Sequence, residues 1–343
     1  MSERYVPVGW NFFKFIYDGI VLGLVGLYIG VFLWITPSFQ HVTLPEDDYT
    51  ARMNAFGTCA FLLLTLILSL GPLARLDPRF LPLLYNRRHL GVIATGVAAT
   101  HAYAALEWYF DYGRFDRFEV LLRGNTSFFQ LHGFPFEVFG LFALTVMLLL
   151  AATSHDFWLK FLTPPVWKAL HMALYLGYFS VVLHISLGAL QAAANPLLAV
   201  VTGLCATGVA LLHLAASRSL VLETTPVEGW LDAGPVAAIE DGRAVAVTPS
   251  GAEPIAIFRH QGRLSAVSGV CAHQNGPLAE GAVIDGCITC PWHGFQYRLA
   301  DGCAPPPYSE KLPTFRLRIT EGRVQVDPRP NPPGTFVEPV EIP

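Results

Sequence analysis

Six strongly apolar windows recur along the first 216 residues, near 17–36, 53–71, 89–108, 136–154, 167–190 and 196–216. A helix needs about twenty residues to cross ~30 Å of hydrocarbon, and in lipid every backbone polar group must find its partner within the structure. This series of windows therefore predicts a membrane all-α six-helix bundle. Composition agrees, because 53% hydrophobic and only 14% charged residues lie outside the range of ordinary soluble domains. A formal charge of −4 without any basic run gives no sign of a nucleic-acid partner. The N-terminal stretch MSERYVPVGWNFFKF carries no cleavable signal pattern: the apolar stretch after it is too long for one and lacks a cleavage site.

Details inside the windows fit the lipid reading. Gly19, Gly23, Gly26 and Gly30 line the first span, where small residues allow close helix approach. Trp10, Trp34, Trp108, Trp158 and Trp167 fall near span ends, as an interfacial belt requires. Nine basic residues (Arg4, Lys14, Arg75, Arg79, Arg87, Arg88, Lys160, Lys168, Arg218) lie on one side, and four (Arg52, Arg114, Arg117, Arg123) on the other. The bias predicts both termini in the cytoplasm of a bacterial-type inner membrane.

The ionisable residues within the spans are histidines: His101 in TGVAATHAYAAL, and His171 and His184 in VWKALHMALYLGYFSVVLHISLGAL. An imidazole at membrane depth is costly unless it is bonded to a neighbouring helix or to a metal. Two imidazoles from facing helices are what the iron of a b-type heme accepts. His101 lies ~20 Å along its helix from Arg88, and His184 lies about as far from His171, so His101 and His184 share a depth. His171 is left near the other face with Arg87, which stands fourteen residues before His101 and nearly in phase with it. The 13-residue step from His171 to His184 is ~140° out of phase in a straight helix, so a bulge or bend near Gly177 is required for both to face one partner.

The segments FLLLTLILSLGPLARL, LLYNRRHLGVIATGVAATHAY and WKALHMALYLGYFSVVLH together resemble the ferric reductase-like transmembrane domain over roughly residues 50–216. That domain is shared by NADPH oxidases, ferric reductases and the membrane subunit of bacterial periplasmic methionine sulfoxide reductase. The resemblance implies b hemes held by His101, His171 and His184 that carry electrons across the membrane. Arg87 departs from the two-heme pattern, which has histidine there, and so implies one heme b, with a second only if His171 binds iron alone or finds another ligand. His89 and His213 are the candidates for it. The flavin and nicotinamide domain of the flavoenzymes is absent from this sequence.

After Arg218 the pattern changes. SRSLVLETTPVEGW is polar, and RAVAVTP, PIAIFRH, RLSAVSG, GAVIDGCITC, FQYRLAD, FRLRITEG and RVQVD alternate as strands separated by Gly and Asp-Gly turns. The expected organisation is a membrane domain at 1–216, a linker at 217–228, a small all-β domain at 229–328 and a proline-rich tail at 329–343. Cys59 and Cys205 sit in apolar runs, whereas Cys271, Cys287, Cys290 and Cys303 fall in the last quarter, which is not a disulfide framework.

Cys271-Ala272-His273 precedes Cys290-Pro291-Trp292-His293, giving C-x-H, sixteen residues, then C-x-x-H. A tetrahedral zinc site takes two cysteines and two histidines, but a one-residue separation is unusual for one. A Rieske [2Fe–2S] centre takes two thiolates on one iron and two imidazoles on the other, which two such loops supply. The stretch CAHQNGPLAEGAVIDGCITCPWHGFQYRLADGCAPPP closely resembles Rieske ferredoxin domains. The resemblance implies that Cys271 and Cys290 hold one iron and that His273 and His293 hold the other, leaving Cys287 and Cys303 outside the ligand set. Gly276 and Trp292 stand where quinol-oxidising Rieske proteins carry a bridging cysteine pair, and Phe295 stands where they carry a serine. A low-potential, ferredoxin-like cluster is implied.

Two redox modules on one chain predict an electron-transfer subunit of a membrane oxidoreductase complex. Its partners would be the membrane, a redox protein or further subunits, and a quinone. No substrate-activating site is visible. A stand-alone metalloreductase or quinone-reactive cytochrome is the enzyme alternative, and a redox sensor that gates a partner is the alternative of another class.

Overall fold

The computed structural model describes residues 12–40, 45–80, 83–84, 86–112, 116, 119, 124–154, 158, 164–192, 196–217, 221–224, 229–250, 252–273, 276–292 and 294–343. It divides into two compact units. One comprises Phe13–Pro72 and Arg87–Ala215, and the other includes Leu73–Asn86 and Ala216–Pro343.

The first part of the chain is helical: α1 Phe12–Gln40, α2 Pro45–Leu76, α3 Arg87–Tyr112, α4 Glu137–Ala152, α5 Pro164–Leu187, the single turn α6 Ala189–Ala192, and α7 Pro196–Ser217. Among the described residues four stretches are long and apolar enough to cross a membrane: Lys14–Ile35, Tyr49–Leu76, Ala169–Gln191 and Pro196–Ala216. The windows at 89–108 and 136–154 form helices as well but fall short of that measure. Helix α3 is rich in Ala, Gly and Thr and opens on two arginines, and α4 is only 16 residues long. Hydroxyls on these helices bond back to their own carbonyls four residues earlier, as Thr65 does to Phe61, Ser69 to Thr65 and Thr95 to Gly91. That habit hides polar groups within an apolar helix.

Side chains then join the helices. Tyr28 of α1 donates to Thr58 of α2 at 2.9 Å, and Thr65 of α2 lies 3.0 Å from the Tyr178 hydroxyl of α5. Phe61 and Tyr178 stack with ring centres 5.8 Å apart. One sequence expectation comes out differently. A Cβ placed on Gly19, Gly23, Gly26 or Gly30 would meet nothing within 4 Å, so the glycine face of α1 approaches no helix among the described residues; α1 is engaged through Tyr28 instead. Helix α5 runs on as one α-helix past Gly177, without the bulge that would help turn both of its histidines toward one partner. Gly177 is used for packing, because a Cβ there would touch Val146 of α4 at 3.5 Å.

The β part has strands β1 Val221–Thr224, β2 Leu231–Pro235, β3 Ala244–Pro249, β4 Ile255–His260, β5 Arg263–Ser268, β6 Ala282–Ile284, β7 Cys287–Thr289, β8 Gln296–Arg298, β9 Thr314–Phe315, β10 Leu317–Thr320, β11 Arg323–Val326 and β12 Val340–Glu341. They form a sheet in the order β1-β3-β4-β5-β12 with β9 also on β5, and two three-stranded sheets, β10-β11-β2 and β6-β7-β8. The β4–β5 hairpin is buried on both faces, as successive side chains point to opposite sides. Ile255, Ile257, Leu264 and Ala266 enter one core with Leu231, Val324 and Val326. Ala256, Phe258 and Val267 enter a second core with Cys271, Leu278, Ile288, Cys290, Phe295 and Tyr297. The second core is the floor of the cysteine loops. Residues 329–343 lie along this domain: Asn331 N–H donates to Thr314 O, Gly334 N–H to Leu312 O and Val337 N–H to Ala300 O, before β12 pairs with β5.

Candidate functional site

In the β domain the two cysteine loops are built alike. The first leaves β5 and is closed by Cys271 N–H donating to Gly276 O at 2.9 Å; the second joins β7 to β8 and is closed by Cys290 N–H donating to Phe295 O at 2.8 Å. Each cysteine thus bonds five residues ahead, and both thiols are buried, with Cys271 0% and Cys290 1% exposed. The loops meet at Gly276, where a Cβ would lie 2.6 Å from Cys290 Sγ and 3.3 Å from the Trp292 ring. Only glycine fits that position. The His273 ring stacks on Phe295 with centres 4.7 Å apart and planes within 8°. His293 lies outside the described residues. Among the described residues no group of three or more His, Cys, Asp or Glu side chains is arranged to hold a single metal ion.

Tyr297 is a residue that the sequence reading did not single out. It is fully buried, accepts from His273 N–H at 3.1 Å and lies 3.3 Å from Cys271 Sγ. Burial, with the Cys271 sulfur alongside, raises its pKa, so it stays protonated and its O–H can donate to a thiolate sulfur at that position. Cys287 lies in β7 opposite Arg298, and Cys303 is bridged to Lys311.

Within the helical unit, His101 of α3 and His184 of α5 are brought together. Their ring centres are 6.2 Å apart and their planes are nearly perpendicular, at 85°. The two rings are held in the same way. His101 Nδ1 donates to Met53 O at 2.9 Å, and a Cβ on Gly57, one turn later, would lie 2.8 Å from that nitrogen. His184 Nδ1 donates to Phe136 O at 3.1 Å, and a Cβ on Gly140, again one turn later, would lie 2.7 Å from Nδ1. Because a carbonyl can only accept, both rings carry the proton on Nδ1 and present Nε2 as a lone pair. Imidazoles that face each other across one metal through bonds of about 2.0 Å have ring centres about 6 Å apart. The donor set and its spacing therefore fit a heme iron.

The remaining histidines are placed differently. His171 Nδ1 donates to Trp167 O of its own helix at 3.0 Å, and its ring stacks on Trp167 at 3.8 Å. Its Nε2 is buried without a hydrogen-bond partner among the described residues. His89 Nδ1 is 2.9 Å from Asp18 Oδ2, and His213 Nε2 is 2.9 Å from the Tyr175 hydroxyl. None of the three makes a ring contact with His101 or His184 among the described residues. Arg87 Nη1 lies 3.9 Å from where a Gly71 Cβ would stand. Next in sequence to Phe136, which contacts His184, Glu137 is 7% exposed and its Oε1 accepts from the Tyr109 hydroxyl and Asn125 Nδ2. The holding groups Met53, Gly57, Phe136 and Gly140 had no signal in the sequence, because a carbonyl and a glycine one turn apart have meaning only once a ring lies over them.

These features define a two-module redox protein, with an iron–sulfur domain after a helical membrane domain. Residues 229–316 match the Rieske [2Fe-2S] domain, and residues 56–182 match the ferric reductase like transmembrane component. The chain is 37% identical over 81 residues to the anthranilate 1,2-dioxygenase ferredoxin subunit of Burkholderia cepacia, covering 23% of this chain and 73% of that protein. It is 37% identical over 89 residues to cholesterol 7-desaturase nvd 1 of Ciona intestinalis, covering 25% of this chain and 19% of that protein. Hence the chain spans about a fifth of the desaturase's length. A solved complex of reduced oxygenase and oxidized ferredoxin in carbazole 1,9a-dioxygenase aligns with 27% identity and a TM-score of 0.29 over 31% of this chain and 98% of that one. Through its C-terminal domain the chain belongs to the Rieske [2Fe-2S] family, and its helical part carries a ferric reductase-like transmembrane component.

Proposed function

We propose that this protein is a membrane electron-transfer subunit that passes electrons between a Rieske [2Fe–2S] cluster on the cytoplasmic side and one heme b held by His101 and His184. The observation that carries the reading is the paired imidazoles 6.2 Å apart, each with Nδ1 tied to a carbonyl and each ring seated on a glycine. Both groups, when bound, take up and release single electrons. The chain's part is to fix the ligands: Met53 and Phe136 set the tautomer of His101 and His184, and Gly57 and Gly140 leave room for the rings. In the β domain Cys271, Cys290, His273 and His293 hold the cluster, and the Tyr297 hydroxyl supports the Cys271 sulfur. On the depth count of the sequence, His171 and Arg87 belong to the inner part of the proposed electron path, where a guanidinium would suit a heme propionate.

The basic-residue bias supports an inner-membrane location with both termini cytoplasmic. The match to the ferredoxin subunit spans most of that small carrier, whereas the match to the desaturase spans a fifth of it. Electron carriage to or from a partner protein, with quinone as a further partner, is thus favoured over oxygenase chemistry. The test is spectroscopic. In the purified full-length protein, His101→Ala and His184→Ala should each abolish the low-spin b-type absorption while the reduced Rieske EPR signal persists. A low-spin heme surviving both changes overturns the assignment.

A further inference from the structure

Helix α4 is short for a membrane span. Its 16 residues, Glu137–Ala152, rise ~24 Å at 1.5 Å per residue, about 6 Å less than the ~30 Å of hydrocarbon that a span must cross. It is nonetheless two-sided, as a lipid-facing helix is: Ala143, Val146, Met147 and Leu150 are buried, while Val138, Leu141, Phe142, Leu148 and Leu149 stay exposed at helical spacing. A span too short for the bilayer thins it or relies on the residues that flank it.

The flanking residues are those of the loop 124–136, GNTSFFQLHGFPF. Phe129 is fully exposed there, and Phe128 and Leu131 are each 64% exposed. Rings connect the loop to the helix, since Phe128 meets Phe134 with centres 6.5 Å apart and Phe134 stacks on Phe139 of α4 at 6.3 Å. The loop also closes on itself: Ser127 N–H donates to Gly133 O at 2.9 Å, Gln130 N–H to Ser127 O at 3.2 Å and Phe136 N–H to Phe134 O at 2.7 Å. At its foot the buried Glu137, the one acid of α4, accepts from the Tyr109 hydroxyl of α3 and from Asn125 Nδ2 of the loop. Irregular backbone stays out of the hydrocarbon itself, so a loop of this kind belongs at the membrane interface, where exposed aromatic residues beside a span end are favoured.

Charge content decides the occupant. Residues 124–136 contain no Asp, Glu, Lys or Arg, so the loop lacks the charged groups by which soluble partners are steered and selected. Its polar Gln130 and His132, set between the apolar side chains, suit the headgroup level. We propose that the loop 124–136 is a lipid-seated wedge, in which Phe128, Phe129 and Leu131 enter the membrane interface and complete the span that α4 begins. The inference rests on the membrane part of the reading above. The wedge is continuous with Phe136, whose carbonyl holds His184 Nδ1, so lipid anchorage and ligand placement share one segment.

The experiment uses the full-length protein with Phe129→p-cyanophenylalanine, reconstituted into phosphatidylcholine vesicles at a high and a low protein-to-lipid ratio and washed with alkaline carbonate. Because Phe129 is fully exposed, the nitrile disturbs no packing. Its infrared stretch should lie below that of the free amino acid in water, and at the same frequency at both ratios. A stretch at the aqueous frequency, in protein that the wash leaves in the vesicles, overturns the wedge while leaving the membrane reading intact. A stretch that is apolar only at the high ratio shows a second copy covering the loop, and likewise overturns it. Release of the protein by the wash overturns the membrane reading together with the wedge.

Discussion

Tyr297 and Gly140 show how single atoms set the behaviour of the two centres. A hydroxyl 3.3 Å from Cys271 Sγ stabilises the more negative, reduced form of a cluster bound there. A hydrogen bond of about 1 kcal/mol corresponds to about 20–60 mV for one electron. Tyr297→Phe should therefore lower the cluster midpoint potential by that amount, read by EPR-monitored titration, with the spectrum otherwise retained. The absence of the serine at Phe295 pointed toward a low potential, and this donor acts in the opposite direction. At Gly140 an added methyl would stand 2.7 Å from His184 Nδ1 and 2.8 Å from Cε1. Overpacking of that kind costs about 1–3 kcal/mol. On the proposed ligation, Gly140→Ala should weaken heme retention about ten-fold or more while helix content by circular dichroism stays unchanged. A fully loaded Gly140→Ala protein would count against the cradle.

Among the elements, α5 decides how many hemes the helices can hold. It runs as one uninterrupted α-helix from Pro164 to Leu187, in which a 13-residue step turns His171 and His184 ~140° apart, and His171 is occupied with Trp167 of its own helix. His171→Ala should leave heme content per polypeptide and the low-spin spectrum unchanged; loss of half the heme would mean that a second site exists. The strands were legible in the sequence as short runs rich in β-branched residues between Gly and Asp-Gly turns, such as PIAIFRH and RLSAVSG, although their contiguous burial, with a core on each face, shows only in the structure. The pairing of His101 with His184 was legible too, from depth alone. What was hidden is whatever depends on a partner's backbone. Met53 and Phe136 contribute a carbonyl, which has no side-chain signature, and β2 and β12 are short strands without an alternating pattern. The glycine face of α1 misled for the opposite reason: small residues permit close approach but do not cause it.

At the level of the whole molecule, the chain joins a lipid-compatible helical part to a small β domain whose three sheets are held by two cores and a long final strap. The strap has a further consequence for solubility and handling. The sheet containing β4 and β5 ends at β12, with Val340 opposite Leu264 and Glu341 opposite Arg263, and the Ile342 amide donates to Gly262 O. Unpaired strand edges invite other chains to add on, and this short, charged strand blunts one. Removing residues 329–343 would bare the β5 backbone along part of its length and uncover the apolar side of Ile342's core neighbours. A chain cut after Pro328 should therefore still form its Rieske signal when fresh, yet elute from size exclusion in detergent as concentration-dependent aggregates, and restoring the strap as a separate peptide should shift it back toward the monodisperse species. The same edge makes the carboxyl end a poor place for an affinity tag without a spacer, because the last residues are a working part of the sheet.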